Sequence, residues 1–132
     1  MTNSNLPLVV TGTVVEGDKV GRTLNFPTAN LDLPEELAIA QGVYAGFVEV
    51  PTSSRPLASL IYYGPRLIFG EHHTSFEVFI YDFNQNLYGQ HLSVSLKYFI
   101  RKPLPFTSLE ALKIQMEQDK ERGWVCLTTP SK

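Results

Sequence analysis

Three observations predict a mainly β protein, a small antiparallel barrel with one C-terminal α-helix packed against it. Short runs rich in β-branched and aromatic residues recur at near-regular spacing, separated by turn residues. The apolar period changes from strand to helix only once, near the C-terminus. The chain is 132 residues long and 43% hydrophobic, enough for one core and too short for a second.

The elements follow in order. Residues 9–15 (VVTGTVV) form a β-branched run that ends at Glu16-Gly17-Asp18, a strand feeding a turn. Residues 20–30 read as a Gly-containing loop. Residues 34–40 fit a short helical turn, with Pro34 at its start and Gly42 beyond its end. Residues 43–50 (VYAGFVEV) and 57–63 (LASLIYY) read as strands. Residues 76–83 (FEVFIYDF) alternate most clearly, placing Phe76, Val78 and Ile80 on one face and Glu77, Phe79 and Tyr81 on the other. Asn84-Gln85-Asn86 is a turn by composition. Residues 92–100 alternate again, with Leu92, Val94 and Leu96 sharing a face.

The last element is the helix. Thr107 and Glu110 have capping-box spacing, and Leu109, Leu112 and Met116 recur at helical intervals. Gly123 supplies a stop, so the helix is expected over about 108–122. The whole is expected to be a single domain over residues 1–132, with a core at about 8–122 and tails at 1–7 and 124–132.

Composition removes several function classes. With 11 Lys+Arg against 13 Asp+Glu the net charge is -2, so no global field draws the chain to nucleic acid or anionic lipid. The single cysteine, Cys126, cannot form an internal disulfide or a Cys2His2 zinc site. No apolar stretch approaches the ~20 residues of a spanning helix, and the N-terminus lacks a signal-peptide pattern. A reducing cytoplasm fits this usage.

The segment from Gly17 to Asn30 carries the most chemistry. It lacks the Gly-Lys-Ser/Thr ending of a Walker loop. Gly17 and Gly21 still let backbone N–H groups approach an anion, and Arg22 adds a guanidinium that can span phosphate oxygens. Thr28 and Asn30 offer neutral oxygens on one side of an extended segment, which suits Mg²⁺ when phosphates supply the negative charge. The residues alone also allow an ordinary Gly/Pro loop. Glu77 has two readings in the same way: a solvated strand glutamate or a functional carboxylate. Arg101, at a strand end beside Lys102-Pro103-Leu104-Pro105, reads alone as a surface residue.

In their order, these pieces resemble the riboflavin kinase family. The matching segments are VTGTVVEG at 10–17, GRTLNFPTANL at 21–31, GVYA at 42–45 and FEVFIYDF at 76–83. LYG at 87–89, FIR at 99–101 and FTSLEALKIQMEQD at 106–119 follow. The resemblance implies a six-stranded Greek-key barrel with a C-terminal helix, and transfer of phosphate from ATP to riboflavin with Mg²⁺. It implies Mg²⁺ and nucleotide phosphate at Thr28 and Asn30, and nucleotide at Gly17, Gly21 and Arg22. Glu77 takes the place of the catalytic base, and Arg101, Leu104 and Phe106 of the flavin side.

The chain departs from the family pattern at four places. Tyr62 stands for a usual Asn, Leu67-Ile68 for a Pro-Thr pair, and Phe79 for a frequent His. The acidic residue expected after Arg101 is replaced within the segment 102–105. One alternative is a non-catalytic flavin- or nucleotide-binding module; another is a barrel that binds single-stranded nucleic acid, against which the acidic balance argues. The implied partners are riboflavin and ATP, with a separate or fused FMN adenylyltransferase consuming the product. The length leaves no room for that second activity, so the reaction is expected to stop at FMN.

Overall fold

In the computed structural model, which describes residues 6–16, 27–33, 36–65 and 74–129, six strands close into an antiparallel barrel. They are β1 (Leu8–Val15), β2 (Ala29–Asp32), β3 (Gly42–Glu49), β4 (Leu57–Pro65), β5 (Thr74–Ile80) and β6 (His91–Arg101). Around the barrel the order is β1-β2-β5-β4-β3-β6. Strands β3, β4 and β5 form a meander, β5 returns beside β2, and β6 returns beside β3. Each return closes a Greek key. Closure leaves no edge strand to pair with another chain.

Strand alternation fills the interior as expected. Phe76, Val78 and Ile80 of β5 and Leu92, Val94 and Leu96 of β6 are all buried in one core with Tyr44 and Ile61. Strand β2 is the element that the sequence reading placed in a loop. Its four residues, ANLD, carry one buried apolar side chain, Leu31, too little to show a period of two. Only pairing with β1 on one side and β5 on the other makes it a strand. Strand β5 stops at Ile80, short of the expected Phe83. The chain turns at Tyr81-Asp82, with Asp82 at φ 52°, and the Tyr81 hydroxyl donates to the carbonyl oxygen of Lys120.

The helix α1 (Leu109–Thr128) packs outside β3, β4 and β6. Its cap is Ser108, not Thr107: the Ser108 hydroxyl accepts from the Ala111 N–H at 3.1 Å. Gly123 does not stop it. It lies buried inside the helix, where a Cβ would stand 2.4 Å from Leu60 Cδ2 and 2.9 Å from the Tyr81 hydroxyl. Glycine here gives close approach of helix to barrel, so residues 124–128, expected as tail, continue the helix. Trp124 packs on Tyr81 with ring centroids 5.1 Å apart, and Cys126 and Leu127 cover a second apolar cluster of Val43, Ala45, Leu60, Tyr81 and Ile100. Of the expected turn at 34–40, residues 34–35 lie outside the described residues, and 36–40 contain no helix.

Candidate active site

The pairing register lays one row of residues across the barrel wall. Val15 pairs with Asn30, Asn30 with Glu77, Glu77 with Tyr62, Tyr62 with Val43, and Val43 with Arg101. Directly opposed residues point to the same face of a sheet, and here that face is the outer one, since Phe76 and Val78 on either side of Glu77 fill the core. Asn30 and Glu77 are thus neighbours although 47 positions separate them in the chain.

Glu77 is held by two hydroxyls. Thr28 Oγ1 donates to Oε1 at 3.0 Å, and Ser75 Oγ donates to Oε2 at 3.1 Å. The carboxylate is therefore oriented. Thr28, Asn30 and Glu77 place hard oxygen donors together, the donor chemistry that Mg²⁺ takes when phosphates complete its shell. The residues present therefore fit the metal. No group of three or more His, Cys, Asp and Glu side chains among the described residues would hold a metal by itself.

Thr28 and Asn30 also line a cleft of about 830 Å³ at one end of the barrel, with Val15 on one side and Phe83, Asn86 and Tyr88 from the β5–β6 connection on the other. The Asn86 side chain accepts from the Tyr88 N–H at 2.9 Å and fixes that turn. The cleft is large enough for a nucleotide.

The residues expected on the flavin side stand elsewhere. Arg101 is three strands from Glu77 along the row, about 14 Å at normal strand spacing. Its guanidinium is bound by Asp119 of α1. Leu104 is 43% exposed and Phe106 half-buried, both in the connection from β6 to α1. Gly17, Gly21 and Arg22 lie outside the described residues, as does the Leu67-Ile68 departure.

Two other departures have a packing reason. Phe79 lies under α1, with its ring edge toward Tyr81 at 5.5 Å and the Lys120 ammonium over it at 5.7 Å. Tyr62 packs on the same outer cluster and donates its hydroxyl to the Pro65 carbonyl. Sequence reasoning missed Ser75 as a partner of Glu77 and Asp119 as a partner of Arg101. Ser75 is two residues from Glu77 on one strand face, a spacing that could have flagged it.

Comparisons with known proteins show the family of the chain. The family model for riboflavin kinase (flavokinase) matches residues 4–125. The chain belongs to the riboflavin kinase family. It is 38% identical over 128 residues to the bifunctional riboflavin kinase/FMN adenylyltransferase of Escherichia coli K12, covering 95% of this chain and 40% of that protein. It thus spans about two fifths of the length of such relatives. Among solved structures, a macrolide-efflux protein from Streptococcus pneumoniae aligns with a TM-score of 0.75 at 36% identity, over 89% of this chain and 38% of that one. Riboflavin kinase from Trypanosoma brucei aligns with a TM-score of 0.69 at 23% identity, over 98% of this chain and 84% of that one, and shares the fold.

Proposed function

We propose that this chain transfers the terminal phosphoryl group of ATP to the primary hydroxyl of riboflavin, giving FMN and ADP. Membership of the riboflavin kinase family supports the substrates. The observation that carries the mechanism is the convergence of Thr28, Asn30 and Glu77, the first two of which line a nucleotide-sized cleft.

A ribityl hydroxyl is a poor nucleophile at neutral pH. Glu77, held by Thr28 and Ser75, takes the hydroxyl proton as the oxygen forms its bond to the γ-phosphorus. The bond from that phosphorus to the β,γ-bridging oxygen breaks, and ADP leaves with the electron pair. Thr28 and Asn30 are the residues that would hold Mg²⁺ between protein and phosphates. When bound, the ion neutralises charge that develops on the transferring group. Gly17, Gly21 and Arg22 are proposed to bind the nucleotide phosphates, and Arg101, Leu104 and Phe106 the flavin ring.

The test is incubation of the chain with riboflavin and ATP, with and without Mg²⁺, followed by separation of the flavins. FMN formed only when ATP and the metal are both present is the expected result. Riboflavin bound but never phosphorylated would leave a binding module in its place.

The names of the bacterial relatives join riboflavin kinase to FMN adenylyltransferase. We propose that the FMN made here is the substrate of such an activity, fused or separate, and that the chain works in the cytoplasm. No helix among the described residues is long and apolar enough to cross a membrane.

A further inference from the structure

The direction of Arg101 is set by three independent features. The first is strand irregularity. Leu92, Val94 and Leu96 point inward, and the register against β3 then slips twice, once between Ala45 and Gly46 and once between Val43 and Tyr44. After the first slip Phe99 points inward, against Tyr44 at 5.2 Å. Simple alternation would then turn Arg101 into the core as well. The second slip puts Ile100 and Arg101 both outward, an established use of β-bulges. Gly42 makes room for this: a Cβ there would stand 2.1 Å from the Arg101 carbonyl oxygen.

The second feature is the clasp. Asp119, 5% exposed, receives Arg101 Nε at 2.9 Å and Nη2 at 2.8 Å, one on each carboxylate oxygen. Arg101 Nη1 donates to the Lys102 carbonyl at 3.0 Å. A guanidinium has five N–H donors, so one on each terminal nitrogen remains without a partner among the described residues. The third feature is the support behind it, where Gln115 Nε2 donates to Asp119 Oδ1 at 3.0 Å.

Helix docking has contacts besides this network. Gly123 against Leu60, Trp124 against Tyr81, and Leu127 over the outer cluster already seat α1. A buried ion pair adds little net stability, because desolvation offsets attraction. What the clasp supplies is direction.

We propose that Asp119 is a positioning residue that fixes which N–H groups Arg101 offers to the flavin ring of the acceptor. This rests on the reading of Arg101 as a flavin contact. An arginine head loses rotamer freedom on binding, and a head already fixed loses less. Asp119 thus acts on riboflavin affinity and leaves the nucleotide side alone.

The experiment compares Asp119→Asn, Arg101→Ala and the double variant in the full chain. Riboflavin binding is read by quenching of its fluorescence, alongside KM for riboflavin and for Mg-ATP. Asp119→Asn should weaken riboflavin binding about tenfold and leave KM for Mg-ATP within about twofold. The double variant should bind riboflavin no more weakly than Arg101→Ala. Equal losses on both substrates, further weakening in the double variant, or no change in Asp119→Asn would each overturn the proposal. If Arg101→Ala weakens riboflavin and Asp119→Asn does not, only the positioning role falls. If Arg101→Ala has no effect, the flavin-side reading falls with it. Should Asp119→Asn fail to fold, Gln115→Leu decides: a selective loss of about two- to threefold in riboflavin binding supports the proposal, and no change overturns it.

Discussion

The Thr28 hydroxyl, one residue before β2, donates a 3.0 Å hydrogen bond to the Glu77 carboxylate in the middle of β5. This contact joins the segment that would carry the metal and phosphates to the group that would take the proton. Under the proposed mechanism, one hydrogen bond sets these two groups in register before any substrate arrives. Preorganisation of this kind avoids reorganising the site during the reaction.

Glu77→Gln keeps the shape of the side chain and removes its basicity. FMN formation should fall by about 10²- to 10⁴-fold, the usual worth of a positioned general base. Riboflavin binding, followed by its fluorescence, should be retained. A near-normal rate would assign the base elsewhere.

Thr28→Val removes one oxygen at nearly constant volume. The Mg²⁺ concentration that gives half-maximal rate should rise about tenfold, the effect of one lost polar contact of about 1.4 kcal/mol. An unchanged metal dependence would take Thr28 out of the metal site.

Gly42→Ala tests the close approach of β3 to β6. Gly42 has φ +150°, and a Cβ would meet the backbone oxygen of Arg101, which cannot swing aside as a side chain could. Denaturant unfolding should show a loss of about 2–3 kcal/mol. A variant as stable as the parent would mean that β6 shifts freely.

Ser59 sits fully buried in β4 with a hydroxyl that has no hydrogen-bond partner among the described residues. An unpaired buried hydroxyl costs stability that its removal returns. Ser59→Ala should therefore stabilise by about 1 kcal/mol in urea unfolding. A clear loss of stability would reveal a partner for that hydroxyl.

Tyr81 links stability to alkaline pH. Burial pushes its hydroxyl well above the usual phenol range, and the charge of Asp119 adds to the shift. The folded state therefore keeps the proton after the unfolded chain has lost it. This contribution is intact below the unfolded value near 10 and is lost as pH rises above it. Unfolding free energy should fall with pH above about 10, and Tyr81→Phe should make that slope shallower by about one proton, or about 1.4 kcal/mol per pH unit. Identical slopes for parent and variant would contradict the assignment.

Much of the barrel was legible because alternation is local. Phe76-Val78-Ile80 and Leu92-Val94-Leu96 name their inner faces without reference to any partner strand. Thr28, Asn30 and Glu77 stood out because polar oxygens after Pro27, and an acid in an apolar strand, are visible in one dimension. Strand β2 was not legible, since four residues with one buried apolar side chain carry no period. What the sequence did not show of α1 was its length: Asp119 and Gly123 continue the face that Leu112 and Met116 mark, but neither is apolar, so the stripe fades before the helix ends.

The sequence by itself determined the inner faces of the regular strand stretches, and which types of oxygen and charge are available for chemistry. Side-chain period and residue type are properties of the local chain. Tertiary structure alone decided who meets whom. The β2–β5 register made neighbours of Asn30 and Glu77, two slips in β6 turned Arg101 outward, and Gly123 let α1 approach closely enough to deliver Asp119. Register, bulges and close approach are relations between distant segments, so no single window of sequence contains them.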